Sequence, residues 1–255
     1  MNFNLPHLPD RSQKPRKNGI NMIMDKGLSI REVEDFISAT AELVDYVKLG
    51  FGTSIVTKNL NQKIKLYKDA GINPYFGGTL FEVFYIRGLL DDYKKYLEKF
   101  EIQTVEVSDG EVQIPADKKC EIIRNFSKDF TVLSEVGSKE ADVIIPVEKW
   151  IEMMINEKQA GSVKVIAEAR EAGTIGIYNK DGSTNTELVD SIRKNVSIDD
   201  IIWEAPMKSQ QAWFIKQMGT NVNLGNIPHN EVIALETLRL GLRGDTFFQF
   251  IPDLI

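Results

Sequence analysis

Short apolar runs rich in β-branched residues alternate with amphipathic stretches along the whole chain, and the pattern recurs eight times. The runs cover 19–26, 46–52, 73–77, 103–108, 131–137, 162–170, 201–206 and 221–226. Most are near-continuous apolar segments, the mark of parallel strands covered on their outer face. The stretches between them carry helix boundaries. Ser29 and Glu32 form a capping box ahead of Val33, Phe36 and Ile37. Thr184 and Glu187 suggest a second box before Leu188 and Ile192, and Pro146 suits the first turn of a helix carrying Trp150 and Met154. Gly71 and Gly219 fall where glycines close helices. Eight β-α units in 255 residues predict an α/β fold, a single (β/α)₈ TIM barrel over 19–255. An open doubly wound sheet is the competitor, but no G-x-G-x-x-G follows the first run. Residues 1–18 read as a polar, solvated arm with Arg11, Lys14, Arg16 and Lys17 among its cations.

Composition narrows the chemistry. With one cysteine, Cys120, and two histidines, His7 and His229, a disulfide framework, a thiolate zinc site and a Ser-His-Asp triad lack material. Cys120 and His229 read as packing residues. A net charge of −6 argues against nonspecific nucleic-acid binding. No apolar run approaches the ~18 residues of a membrane helix, and the first residues lack the apolar core of a secretory signal. A cytoplasmic protein with no membrane or nucleic-acid partner is expected.

The strands carry charges that a buried parallel strand ordinarily excludes. Alternation sorts them into one polar face: Asn21, Ile23 and Asp25; Tyr46, Lys48 and Gly50; Tyr75 and Gly77; Thr104, Glu106 and Ser108; Leu133, Glu135 and Gly137; Lys164, Glu168 and Arg170; Ile202 and Glu204; Asn221 and Asn223. The opposite parity, with Met22, Met24, Val47, Val105 and Trp203, is apolar and must meet the helices, so the charged face is expected to line the lumen. Uncompensated buried charge costs several kcal/mol, so this concentration calls for a ligand, a metal or tight pairing. Asp25, Glu106, Glu135, Glu168 and Glu204 face Lys26, Lys48, Lys139, Arg170 and Lys208 near the strand ends, where barrel active sites lie. With so little Cys and His, a metal here would be oxygen-ligated, hence Mg²⁺ or Mn²⁺. Barrels also bind phosphate on loops after their last two strands, which points to Gly225, Asn226 and the helix start near Ser209. The segment 173–183 is a candidate lid, and Arg243-Gly244-Asp245 is expected on the opposite, structural face.

The strand-end motifs Asp25-Lys26-Gly27, Gly50-Phe51-Gly52-Thr53-Ser54, Gly77-Gly78-Thr79, Ser108-Asp109-Gly110, Glu135-Val136-Gly137-Ser138-Lys139, Glu168-Ala169-Arg170 and Glu204-Ala205-Pro206-Met207-Lys208 occur in order. Together with the closing Leu235–Thr246 stretch, they resemble the phosphosulfolactate synthase family, which also includes plant heat-stress proteins. The resemblance departs at Ser138, where the family pattern often has a first of two lysines. It implies a (β/α)₈ lyase that adds sulfite to phosphoenolpyruvate with Mg²⁺, giving 2-phospho-3-sulfolactate, a step toward coenzyme M in methanogens. In that chemistry sulfur attacks the methylene carbon, charge moves onto the carboxylate, and C2 takes a proton. Lys139 is the candidate general acid. Glu106 and Glu135 stand beside it as catalytic candidates. Asp25, Glu106 and Glu168 are the expected metal ligands, with Glu135 as an alternative. Lys26, Lys48, Thr53, Ser54, Arg170, Lys208, Asn223, Gly225 and Asn226 are the expected substrate-binding residues, and a homo-oligomer is the expected assembly. Two other readings remain: a Schiff-base aldolase using Lys164 or Lys48, and a non-catalytic stress or binding protein.

Overall fold

In a computed structural model of the chain, which describes residues 3–138 and 145–251, eight parallel strands close on themselves in chain order. They are β1 (Asn21–Asp25), β2 (Tyr46–Leu49), β3 (Asn73–Phe76), β4 (Thr104–Val107), β5 (Thr131–Val136), β6 (Lys164–Ala167), β7 (Ile201–Glu204) and β8 (Leu224–Pro228). The helices that return the chain are α1 (Ile30–Thr40), α2 (Thr53–Val56), α3 (Leu60–Asp69), α4 (Gly78–Tyr85), α5 (Leu90–Lys99), α6 (Ala116–Phe126), α7 (Val147–Ala160), α8 (Thr186–Asn195), α9 (Lys208–Met218) and α10 (Val232–Arg239). The TIM barrel is therefore present. No helix among the described residues is long and apolar enough to cross a membrane.

Local chemistry sets the boundaries. The Ser29–Glu32 capping box opens α1 as expected. At α8 the cap is Asn185 rather than Thr184: its side chain accepts from the Leu188 amide. Between the strands and helices lies a continuous apolar layer in which Trp203 stacks on Phe214, with ring centroids 5.1 Å apart. Ladder pairing is sparsest between β3 and β4, which register at one pair, Phe76 with Val105, and is short again between β7 and β8, at two. Pro74 in β3 has no N–H to contribute to the first of these edges.

Two strands depart from the sequence expectation. In β1 the parity is reversed: Met22 lies against Tyr75 in the lumen and Met24 lines the mouth, while Asp25 turns into the helix layer. There Lys63 Nζ approaches Asp25 Oδ2 at 2.8 Å, Tyr67 donates to it at 2.9 Å, and the Gly27 and Leu28 amides donate to Oδ1. A charge can thus be satisfied between strand and helix as well as in the lumen. The last strand begins at Leu224, so Asn221 and Asn223 lie before it. Asn223 donates to the Asp199 and Ile201 carbonyls and accepts from the Ile20 amide, which fastens the foot of the barrel.

Much of the arm, Lys17 included, is exposed, but two of its arginines are tied down. Arg11 and Arg16 keep only 7% and 4% of their side-chain surface exposed, pairing with Glu236 and Asp45 respectively. Arg11 also donates to Asn221 and the Gly19 carbonyl, and Lys14 to the Ala41 carbonyl. Beside them Arg239, wholly buried, donates to Asn21 and the Thr220 carbonyl.

Candidate active site and metal centre

At the C-terminal ends of the strands, a cavity of about 420 Å³ is lined by Met24, Lys48, Phe51, Glu111, Glu135, Glu168, Arg170, Glu171, Glu204 and Asn226, among others. Lys48 rises from β2 into its floor. Its Nζ lies 2.9 Å from Glu106 Oε1, 3.2 Å from Glu135 Oε2 and 3.3 Å from Glu204 Oε1. The ammonium thus meets three carboxylates contributed by β4, β5 and β7, hydrogen-bonding those of Glu135 and Glu204 and pairing by charge with that of Glu106. Burial opposes the charge on Lys48, yet these three carboxylates outweigh it and hold the ammonium well above its ordinary value.

Each glutamate is fixed from a second side. Glu106 accepts from Tyr75 at 2.8 Å and from the Gly78 amide at 2.6 Å. Glu204 accepts from the Ala169 amide at 2.8 Å. Glu135 Oε1 lies 2.8 Å from Ser108 Oγ. Burial, with Glu135 and Glu106 adding repulsion, pushes the Glu204 carboxyl up to about 7 against the pull of Lys48. Glu135, Glu168 and Glu204, all buried, each offer an oxygen, and these oxygens lie within 4.8 Å of one another. Carboxylate oxygens without Cys or His suit a hard divalent cation, so the donor set fits Mg²⁺.

This grouping revises the expected ligands. Asp25 points away from this group, toward Lys63 and Tyr67. Glu106 stands outside the converging group, its oxygens taken by Lys48, Tyr75 and Gly78. Glu168 and Glu135 belong to it, and Glu204 takes the remaining place.

Among the expected substrate contacts, Lys48, Arg170 and Asn226 line the cavity. Gly225 sits in the lumen wall, where a Cβ would strike Met22 at 2.3 Å. Lys26 reaches Glu171 across the rim, both half exposed. Four others do not line the cavity. Asn223 is at the foot; the Thr53 hydroxyl turns back to the Gly50 carbonyl; Ser54 is buried near Tyr96, which donates to its carbonyl. Lys208 pairs with Asp245 at 3.0 Å and does not line the cavity. That contact also brings Arg243-Gly244-Asp245 up to the first turn of α9, higher than expected. Lys164 lies at the foot, donating to the Asp199 carbonyl. Lys139 lies outside the described residues.

The segment 173–183 is anchored to the site. Tyr178 donates to the Glu204 carbonyl at 2.6 Å, and Gln210 donates to the Gly173 and Gly182 carbonyls. Gly176, at φ +66°, passes so close to the Glu168 carbonyl that a Cβ would stand 2.0 Å from its oxygen. Sequence reasoning missed Glu82 of α4, buried and 2.6 Å from Ser108 Oγ. Its signal was a single acid inside the apolar helix Gly78–Tyr85.

A closed (β/α)₈ barrel with buried glutamates converging on one lysine at its C-terminal mouth defines a barrel enzyme whose chemistry resides at the strand ends. Residues 9–245 match the family described as (2R)-phospho-3-sulfolactate synthase (ComA). The chain belongs to this phosphosulfolactate synthase family. It is 42% identical over 244 residues to the Bacillus subtilis phosphosulfolactate synthase, covering 94% of this chain and 97% of that one. The Methanocaldococcus jannaschii phosphosulfolactate synthase is 42% identical over 237 residues, covering 91% and 94%. Protein HEAT-STRESS-ASSOCIATED 32 of Arabidopsis thaliana is 20% identical over 261 residues, covering 90% and 88%. Among solved structures, the YdjI aldolase of Escherichia coli K12 superposes with a TM-score of 0.54 at 11% identity, covering 93% of each chain. That likeness is of fold alone.

Proposed function

We propose that this protein catalyses Mg²⁺-dependent addition of sulfite to phosphoenolpyruvate, giving 2-phospho-3-sulfolactate, as a C–S bond-forming lyase. The observation that carries the reading is the convergence of Glu135, Glu168 and Glu204 beside Lys48 in a cavity sized for a small substrate, in a chain of this family. Glu135, Glu168 and Glu204 would hold the Mg²⁺, which would supply Lewis-acid stabilisation of negative charge on the substrate carboxylate. The cavity wall is rich in acids, so a divalent cation also favours entry of an anion there.

In the reaction, the sulfite sulfur forms a bond to the methylene carbon, the C2–C3 π pair moves onto the carboxylate, and C2 then takes a proton. Lys48 stays paired with Glu106, Glu135 and Glu204 at the cavity floor and offsets part of their charge. Arg170 at the rim offers a planar fork for phosphate oxygens, and Asn226 offers an amide in the same wall. Lys139 is proposed as the proton donor from its place in the sequence. Lys48, held as an ammonium, is a poor Schiff-base nucleophile, and Lys164 is remote from the mouth. A cytoplasmic homo-oligomer belongs to the same proposal, with sedimentation velocity testing the assembly.

The test is a phosphorus and proton NMR assay of purified protein. Vinyl protons of phosphoenolpyruvate should disappear only when sulfite and Mg²⁺ are both present. A folded protein that leaves them intact, or consumes them without sulfite, overturns the proposal. Lys139→Ala should lower the rate about 10²–10⁴-fold, the scale of general acid catalysis.

A further inference from the structure

Behind the converging carboxylates lies a second layer that the sequence did not disclose. Ser108, wholly buried just beyond β4, places Oγ 2.8 Å from Glu135 Oε1 and 2.6 Å from Glu82 Oε1. Glu82 in turn accepts from the Gly110 amide at 2.8 Å and from the Glu111 amide at 3.3 Å. One carboxylate from α4 therefore orients both the Ser108 hydroxyl and the turn that follows β4. Four residues earlier on the same helical face, the Gly78 amide grips Glu106. A side chain at position 78 would stand 2.4 Å from Ser108 Cβ, so the close approach of α4 to β4 depends on glycine there.

Glu135 thus has Lys48 at Oε2, and at Oε1 the Ser108 hydroxyl, whose single proton lies between this oxygen and Glu82 Oε1 and so ties the two carboxylates together. Lys119 of α6 adds a third hold, donating to the Glu135 carbonyl. We propose that Ser108 and Glu82 are positioning residues that orient Glu135 for divalent-cation binding. They touch neither substrate nor cation and act through Glu135. The inference rests on the proposed role of Glu135, Glu168 and Glu204 as the cation's ligands. Partners behind metal-binding groups commonly alter metal affinity by about 10–100-fold when removed.

The experiment measures Mn²⁺ binding to the full chain without substrate, by electron paramagnetic resonance of the free ion, for wild type, Ser108→Ala and Glu82→Gln. Wild type should bind Mn²⁺, and both variants should bind about 10–100-fold more weakly while keeping the wild-type circular dichroism spectrum. In the sulfite-dependent assay, kcat at fixed low Mg²⁺ should fall. Excess Mg²⁺ should restore it, with KM for phosphoenolpyruvate changed less than about threefold. Rescue by metal separates positioning from a general packing defect, which added metal would not repair. Unchanged Mn²⁺ affinity in Ser108→Ala, or a kcat loss that saturating Mg²⁺ leaves in place, overturns the proposal. A wild-type protein that binds no Mn²⁺ overturns the cation reading beneath it, a result distinct from the other two.

Discussion

Lys48 is compensated by three carboxylates, and those carboxylates depend equally on it. Removing one partner of a buried charged cluster leaves uncompensated charge, at a cost of about 3–5 kcal/mol. Lys48→Met should therefore lower stability by about that amount in urea denaturation at neutral pH, and added Mg²⁺ should recover part of the loss. Glu204 makes a signed prediction of its own. With its carboxyl at about 7 in the fold and an ordinary value near 4.3 in the unfolded chain, the folded state holds more protons between those limits. Stability then declines as pH rises through that window, by up to about 1.4 kcal/mol per unit. Glu204→Gln should flatten the decline, as read from urea midpoints at pH 5, 6 and 7. The glutamates were legible in the sequence because an acid in an apolar strand is conspicuous. Lys63 and Lys119 were not, since lysines are ordinary in amphipathic helices and only packing reveals that these are buried, whereas Glu82 was the one acid in an apolar helix.

At the scale of elements, the apolar alternation located all eight strands, while the polar face was assigned on the premise that charge belongs in the lumen. That premise held for β2, β4, β5 and β7 and failed for β1. Two methionines there fill the lumen, and Asp25 meets Lys63 and Tyr67 from α3. A partner on a helix some forty residues onward leaves no periodic trace. The structural reading of Asp25 predicts that Asp25→Asn costs about 3 kcal/mol in urea denaturation, by stranding the Lys63 charge. Mn²⁺ affinity should stay within about twofold of wild type. A large loss of affinity would return Asp25 to the metal site. The strand-eight boundary was misread for a related reason: the asparagines before Leu224 look like strand residues in sequence, but their amides serve as staples between neighbouring backbone segments.

For the molecule as a whole, the two ends of the barrel divide the labour. The foot is closed by the arm, whose Arg11 and Arg16 bind Glu236 and Asp45, and the mouth is open and acid-lined. A cation bound at the mouth stabilises the folded state alone. Mg²⁺ at about a hundred times its Kd should add about 2.7 kcal/mol. For a chain of this size that is a rise of roughly 5–10 °C in Tm by calorimetry, and chelator should reverse it. The ring is also unevenly sewn. Where β3 meets β4, a single ladder pair joins the strands, and Pro74 of β3 brings no N–H to that edge. Native-state hydrogen exchange should register this as the place of earliest opening, with amides of β3 and β4 exchanging at lower free energy than those of β1 and β8. It follows that a circular permutant with new ends in the β3–β4 connection should fold more readily than one cut between β5 and β6.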